Sequence, residues 1–267
     1  MPTPVVLTIA GFDPSSGAGV TADLKTFAAH DCYGLACMTS LTVQSTRGVK
    51  RVEPLPAKLV SETLDELQRD FEIAAVKIGM LGSVAVAKVV LRFLQKKRME
   101  HVVLDPVIRA SSGKPLIDRA GVAVLRKMLG LAEVTTPNVA EAAALARIRI
   151  RNFEDARDAA RRLRESGSRN VVITGGDFDT VSEEAAVDVF LSEDGAYEEL
   201  RGARIASRNT HGTGCAFASA IAANLALGKP LHESVATAKT YVVEAICTAP
   251  GLGSGKGPLN HFAFVRH

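Results

Sequence analysis

The stretch AAVKIGMLGSVAVAKVVLRFLQKKRMEHVVLDP (74–106) decides the fold. AAVKIG (74–79) is a short run rich in Val and Ile that ends at a glycine, as a buried strand does. Residues 84–97 carry apolar residues at helical spacing and finish on QKKR. HVVLD (101–105) is a second buried run, closed by Pro106. Strand, amphipathic helix and strand in close succession are the unit of a mostly parallel sheet.

Outward from this stretch the pattern repeats. Strands are expected at 5–10, 35–44, 132–136, 171–176 and 186–191 and in the 195–206 region, the last two joined by the turn SEDG. Helices are expected at 19–30, 57–70, 118–129, 138–146, 153–166, 213–227 and 231–247. In 57–70 the residues Leu59, Val60, Leu64 and Leu67 share one face behind Pro56, a helix start signal. The expected architecture is α/β, with a mostly parallel central sheet covered by helices on both faces. No linker, repeat or low-complexity segment interrupts residues 1–267, so a single domain is the simplest account.

Apolar residues make up 47% of the 267 residues and charged residues 23%, with a net charge of +3. That balance points away from a nucleic-acid partner. Cys32, Cys37, Cys215 and Cys247 form no CxxC pair, which excludes the usual zinc and redox spacings. The apolar run at 215–227 is too short for a membrane span and is broken by Ser219 and Asn224. The opening MPTPVVLTIAGFD lacks a basic region and a long apolar core. The expectation is a soluble, cytoplasmic protein with reduced thiols and no membrane partner.

In such sheets ligands bind beyond the C-terminal strand ends. The residues there are GFDPSSGAG (11–19), Val43 and Gln44, Gly79 and Met80, Asp105 to Val107, Pro137, Asn138 and Glu141, Thr174 to Gly176, and GTGC (212–215) entering a helix. Gly212 and Gly214 allow a tight turn and a close ligand approach. The free amides and dipole of the helix that follows favour an anion. Taken singly, Asp105 is a turn former before Pro106, Glu141 a first-turn helix acid, and Met80 and Val107 ordinary core. Together, two hard carboxylates beside an anion-binding helix start fit Mg²⁺ and phosphoryl transfer. No GxxxxGK[ST] is present, and GFDPSSGAG has the wrong spacing for a dinucleotide fingerprint.

Several motifs follow one another along nearly the whole chain: TIAGFDPSSGAGVTADLKTF (8–27), TVQST (42–46), KIGML (77–81), DPVIRASSG (105–113), TPNVAEA (136–142), NTHGTGC (209–215) and GKGPLNH (255–261). In this order they resemble the hydroxymethylpyrimidine/phosphomethylpyrimidine kinases of the ribokinase-like superfamily. The resemblance implies a ribokinase-like three-layer sandwich, usually a homodimer. It implies that ATP, with Mg²⁺, phosphorylates 4-amino-5-hydroxymethyl-2-methylpyrimidine and then its monophosphate, in thiamine biosynthesis. By matching motif, Gly11, Asp23, Gln44, Met80 and Val107 form the pyrimidine pocket, and Asp105 and Glu141 lie at the metal. Asn138, Thr174 and Lys239 lie on the nucleotide and phosphate side. Gly212, Gly214 and Cys215 form the anion hole and catalytic position.

The residue types suit these roles. The Gln44 amide offers a donor and an acceptor side by side, which complement an aminopyrimidine edge. Cys215 stands where related sugar kinases carry an aspartate base. A thiol at a helix N-terminus is expected to have a lowered pKa, while a neutral thiol repels an anionic acceptor less than a carboxylate does. Thr174 departs from the family, which often has a lysine there; Arg109, Lys239 and Arg208 are candidates to replace that charge. The acidic 177–184 loop, DFDTVSEE, is expected to form part of a mobile lid. Three other readings stay open: a pyridoxal kinase on the same scaffold, a non-catalytic pyrimidine-binding relative and, disfavoured by Cys215, a sugar kinase.

Overall fold

In the computed structural model, residues 3–97, 99–110, 112–175 and 185–265 are described. In chain order, the first half contains β1 (Val5–Phe12), α1 (Gly19–Ala29), β2 (Tyr33–Ser45), β3 (Gly48–Pro54), α2 (Ala57–Asp70), β4 (Ala75–Ile78), α3 (Val84–Lys96), β5 (His101–Leu104) and α4 (Arg119–Met128). The second half contains β6 (Val134–Thr135), α5 (Val139–Ala146), α6 (Phe153–Glu165), β7 (Asn170–Ile173), β8 (Ala185–Leu191), β9 (Tyr197–Ala203), α7 (Thr213–Ala226) and α8 (Leu231–Cys247).

The strands form one sheet in the order β3-β2-β1-β4-β5-β6-β7-β8-β9. The six central strands, from β2 to β7, run parallel; β3, β8 and β9 are antiparallel to their neighbours. Because successive side chains of a strand point to opposite faces, each central strand feeds two cores. Leu7, Ile9, Val76, Ile78, Val102 and Leu104 pack with Leu64 of α2, Phe93 of α3, Met128 of α4, Leu145 of α5 and Leu163 of α6. Val6, Ala75 and Val103 pack with Phe27 of α1, Phe217 and Ile221 of α7 and Tyr241 of α8. Each fully buried Val, Leu, Ile or Phe contributes roughly 1.5–3 kcal/mol. The result is the three-layer sandwich expected.

Helix starts follow capping chemistry. Ser83 accepts from the Val86 amide, Asp118 from Gly121 and Asn152 from Asp155. Each satisfies an amide that the helix itself leaves free. Strand β3 has no counterpart among the expected elements. Its sequence GVKRVEP carries Lys50, Arg51 and Glu53 and ends in proline, which is how sheet edges are protected from further pairing. The 132–136 strand shrinks to Val134–Thr135, although Glu133 and Thr136 still donate to the Val102 and Leu104 carbonyls. The 171–176 strand runs over Asn170–Ile173, and the 177–184 loop lies outside the described residues.

Candidate active site

Lys77 breaks the apolar run of β4. Period two turns it toward α1 and α7, on the face of Ala75. It is wholly buried and its Nζ lies 3.0 Å from each carboxylate oxygen of Asp23 on α1 and 3.9 Å from Asp105 Oδ2. Thr8 of β1 and Ser219 of α7 also donate to Asp23, at 2.6 and 2.7 Å. Four donor contacts thus saturate Asp23 beneath the sheet end. One ammonium serves two buried carboxylates, and although burial opposes the charge, Asp23, Cys215 and Asp105 together raise the Lys77 pKa.

Asp105 follows β5 and is 5% exposed. Its Oδ2 has no hydrogen-bond partner among the described residues. Burial raises its pKa; Lys77 opposes this, Asp23 adds to it, and a hydrogen bond with Cys215 lowers it. Cys215 is half-buried in the first turn of α7. Burial is the largest influence on its thiol and pushes it up to about 12; Lys77 opposes, Asp105 and Asp23 add, and the Gly19 amide opposes. The expected lowering by the helix terminus is therefore overturned. The helix dipole is worth at most a couple of kcal/mol, and burial between two acids outweighs it. At neutral pH the thiol is protonated and faces the Asp105 carboxylate.

Glycines bring the 11–19 loop against the start of α7. Gly212 caps the helix at φ 87°, and a Cβ there would lie 1.8 Å from the Gly17 carbonyl oxygen. Gly19 adopts φ 61°, with the Gly11 carbonyl oxygen 2.2 Å from where its Cβ would be. Gly214 differs: it is exposed, and a Cβ there would meet nothing within 4 Å. The start of α7 thus has open space at Gly214 beside Cys215, as an anion cradle requires, while the Thr213 amide is taken by the Thr210 carbonyl at 3.4 Å. Asp13 stabilises the loop by accepting from the Ser15 amide at 2.9 Å, the Ser15 hydroxyl at 2.7 Å and the Ala18 amide at 3.0 Å.

The ring-pocket candidates converge at the ends of β1, β2 and β4. A Cβ on Gly11 would lie 3.0 Å from Met80 Sδ and 2.9 Å from Ser40 Oγ. Thr39 anchors Met80 by donating to its carbonyl at 2.6 Å. The Gln44 amide lies 3.2 Å from His211 Nε2, and His211 Nε2 lies 2.7 Å from Asp13 Oδ2. Val107 is half-buried, with its amide donating to the Asp105 carbonyl at 2.9 Å. A cleft of about 690 Å³ opens next to Gln44, between Ser45–Lys50 and the residues Ser112, Lys114, Gly253 and Ser254. Neither Asp105 nor Cys215 lines it.

The sequence profile described as phosphomethylpyrimidine kinase matches residues 13–260. The chain belongs to the phosphomethylpyrimidine kinase family. A hydroxymethylpyrimidine/phosphomethylpyrimidine kinase of Haemophilus influenzae is 42% identical over 98% of this chain and 97% of its own length. Among solved structures, an ADP complex of Bacillus subtilis pyridoxal kinase matches with a TM-score of 0.89 and 32% identity, over 98% of both chains. The Staphylococcus aureus pyridoxal kinase in complex with AMP-PCP and pyridoxal matches with a TM-score of 0.90 and 30% identity, over 100% of this chain and 96% of that one. This phosphomethylpyrimidine kinase relative is thus a kinase of ribokinase-like fold.

The remaining expected site residues have partners within the fold. Asp23 is fully buried, with Lys77, Thr8 and Ser219 on its carboxylate. Lys239 is engaged as well. Its Nζ pairs with Asp188 Oδ2 at 2.7 Å and donates to the Ala186 carbonyl, while Asp188 Oδ1 accepts from the Gly175 amide. Its charge therefore fixes the backbone beyond β7, next to Thr174. Asn138 and Glu141 form a capping box on α5, and Glu141 Oε1 also accepts from the Ile108 amide. Thr174 bridges to Asn138. Arg109 and Arg208 are exposed, with the Arg109 guanidinium on the Gly113 carbonyl. Sequence reading missed Lys77, Asp13 and His211 as site residues. The signal for Lys77 was a charge inside an otherwise apolar strand.

Proposed function

We propose that the protein uses ATP to phosphorylate the hydroxymethyl group of 4-amino-5-hydroxymethyl-2-methylpyrimidine and then the resulting monophosphate, giving the diphosphate for thiamine biosynthesis. The observation that carries this reading is the placement of the Cys215 thiol at the open start of α7, in one cluster with Asp105 and Lys77; burial favours its uncharged form. An uncharged group there tolerates both a neutral alcohol and an anionic phosphate as acceptor. The name of the Haemophilus influenzae relative supports the same reading.

In this reading Gln44 holds the ring edge, with Gly11 and Met80 at its faces. The amides of Gly212, Gly214 and Cys215 at the start of α7 receive the transferred phosphoryl oxygens, where fixed dipoles stabilise developing charge without reorganisation. Lys77 keeps Asp105 and Asp23 from becoming an uncompensated pair of charges. Phosphoryl transfer asks mainly for positioning and neutralisation, so the absence of a thiolate base is no obstacle.

Mg²⁺ fits these residues. Asp105 offers a buried carboxylate oxygen with no hydrogen-bond partner among the described residues, whereas both oxygens of Glu141 are engaged by the Ile108 and Asn138 amides. One direct carboxylate, with phosphates and water, is an ordinary Mg²⁺ shell, and Glu141 would act at its periphery. When bound, the metal neutralises charge between the phosphates.

The reading extends to a single catalytic domain in a cytoplasmic homodimer. All four cysteines are free, as a reducing compartment would keep them. The exposed Met38, Leu41 and Val43 of β2 give a second copy an apolar surface. A pyridoxal kinase is the second reading, favoured by the solved neighbours. A competition assay separates the two. With Mg²⁺-ATP and equal pyrimidine alcohol and pyridoxal in one vessel, pyrimidine phosphates should dominate the products. Predominant pyridoxal phosphate would give the site to the second reading.

A further inference from the structure

His211 Nε2 has two neighbours that make opposite demands. Asp13 Oδ2, 2.7 Å away, is an acceptor; the Gln44 amide nitrogen, 3.2 Å away as placed, is a donor. A single ring nitrogen cannot donate to one and accept from the other. The remaining partners of Asp13 decide between them. Its carboxylate already accepts from the Ser15 amide, the Ser15 hydroxyl and the Ala18 amide, so it has no proton to offer. His211 Nε2 must therefore carry the hydrogen and give it to Asp13, whether the ring is neutral or charged.

A protonated Nε2 cannot face an amide NH₂. The two ends of a carboxamide have the same shape, so the partners decide which end is which. Thr42 gives the same answer independently. Its hydroxyl lies 2.9 Å from the Phe12 carbonyl oxygen and 3.2 Å from the Gln44 atom placed as Oε1. A hydroxyl has one hydrogen, and the Phe12 carbonyl can only accept it. The Gln44 atom next to Thr42 must then be the donor. Rotating the amide by half a turn removes both conflicts: the NH₂ donates to the Thr42 oxygen, and the carbonyl, open to a ligand donor, faces the Nε2–H whose single hydrogen goes chiefly to Asp13.

We propose that Asp13 and His211 are positioning residues that lock the Gln44 amide with its carbonyl on the His211 side and its NH₂ on the Thr42 side, and so set the sense of the ring edge the site accepts. The lock itself rests on geometry alone. Its meaning for ligands rests on the aminopyrimidine reading above. An edge with a ring nitrogen acceptor and an exocyclic amino donor then fits only with its amino group on the His211 side. The 4-oxo analogue, with a ring N–H donor and a carbonyl acceptor, meets donor against donor and acceptor against acceptor. His211 is 8% exposed and its ring lies over Gly17, where a Cβ would come within 2.3 Å of Cδ2. The loop glycine thus holds the imidazole that holds the amide.

Two measurements test this. Long-range ¹H–¹⁵N spectra of the imidazoles in the ligand-free protein, with His211→Phe for assignment, should show His211 protonated at Nε2; a ring protonated only at Nδ1 would overturn the lock. Calorimetry should show the 4-amino pyrimidine alcohol binding at least roughly 100-fold more tightly than its 4-oxo analogue, since a mismatched polar edge leaves buried groups unpaired. In Asp13→Asn the new amide can donate to Nε2, which frees the ring tautomer and Gln44, so this ratio should fall at least tenfold. His211→Phe should lower it likewise if Asp13→Asn does not fold. Damage that is merely structural weakens both ligands together, so an unchanged ratio in the variants would refute the proposal. If the wild type binds neither ring, the aminopyrimidine reading fails, while the spectrum still judges the lock.

Discussion

Replacing Lys77 with methionine roughly keeps the length of the side chain and removes the cation that lies against two buried carboxylates. Lys77 and Asp23 are both wholly buried and 3.0 Å apart. At that separation and an effective dielectric of about 20, the attraction is about 5.5 kcal/mol. Breaking a buried pair typically costs about 3–5 kcal/mol, because the remaining charge stays buried without compensation. For a chain of this size that corresponds to a loss of roughly 10 °C in Tm. The cost should also depend on pH. Without the ammonium that opposes the effect of burial, Asp105 holds its proton more tightly still in the folded than in the unfolded state. The folded variant then binds more protons, so its stability falls as pH rises. Thermal unfolding of wild type and Lys77→Met at about pH 5 and pH 8 should show the larger gap at pH 8, and Lys77→Met/Asp23→Asn should regain part of it. A Tm within about 3 °C of wild type at both pH values would refute the reasoning, since the ammonium would then not be neutralising the acids.

Cys215→Asp should slow the second phosphorylation far more than the first, because a carboxylate about 5 Å from an anionic acceptor costs about 3 kcal/mol at an effective dielectric of 20, roughly 200-fold; kcat/KM for the alcohol and its monophosphate, measured side by side, checks the ratio. Gly214→Ala should leave Tm unchanged, since its Cβ meets nothing within 4 Å, yet raise the KM for the phosphate-bearing substrates by filling the cradle. Gly212→Ala, with a Cβ 1.8 Å from the Gly17 oxygen at φ 87°, should destabilise the fold by about 3 kcal/mol or more in urea titrations, since the left-handed backbone alone costs about 1–2. Burial, helped by the charges of Lys25 and His211, lowers the His261 pKa to about 4. Below about pH 6.5 the unfolded chain takes up a proton that the folded chain refuses, so stability is full above that pH and is lost as pH falls toward 4. His261→Gln should remove about 2 kcal/mol of the loss between pH 7.5 and 5, read from urea midpoints.

Much of the fold was legible because two periodicities alternate cleanly. The runs 74–79, 84–97 and 101–105 became β4, α3 and β5 with changes of one residue at their ends. Strand β3 was not legible, since an edge strand carries the charges and proline that argue against a strand. The strand-end rule led to Asp105 and Cys215, which the structure brings together, and to Gln44 and Met80, which sit at the ends of β2 and β4. It could not show that Asp23 and Lys239 are occupied by Lys77 and Asp188, because those pairings join residues 54 and 51 positions apart. The thiol was misjudged for a physical reason. A helix terminus is visible in sequence, but burial between Asp105 and Asp23 is not, and here burial is the larger effect.

The most direct test supplies the purified protein with Mg²⁺-ATP and the pyrimidine monophosphate alone, and follows the product by mass. The account predicts conversion to the diphosphate by this protein without a second enzyme, at a rate comparable to phosphorylation of the alcohol. Phosphorylation of the alcohol with no conversion of the monophosphate would contradict it, because an uncharged Cys215 at the α7 terminus would then not be serving two acceptors.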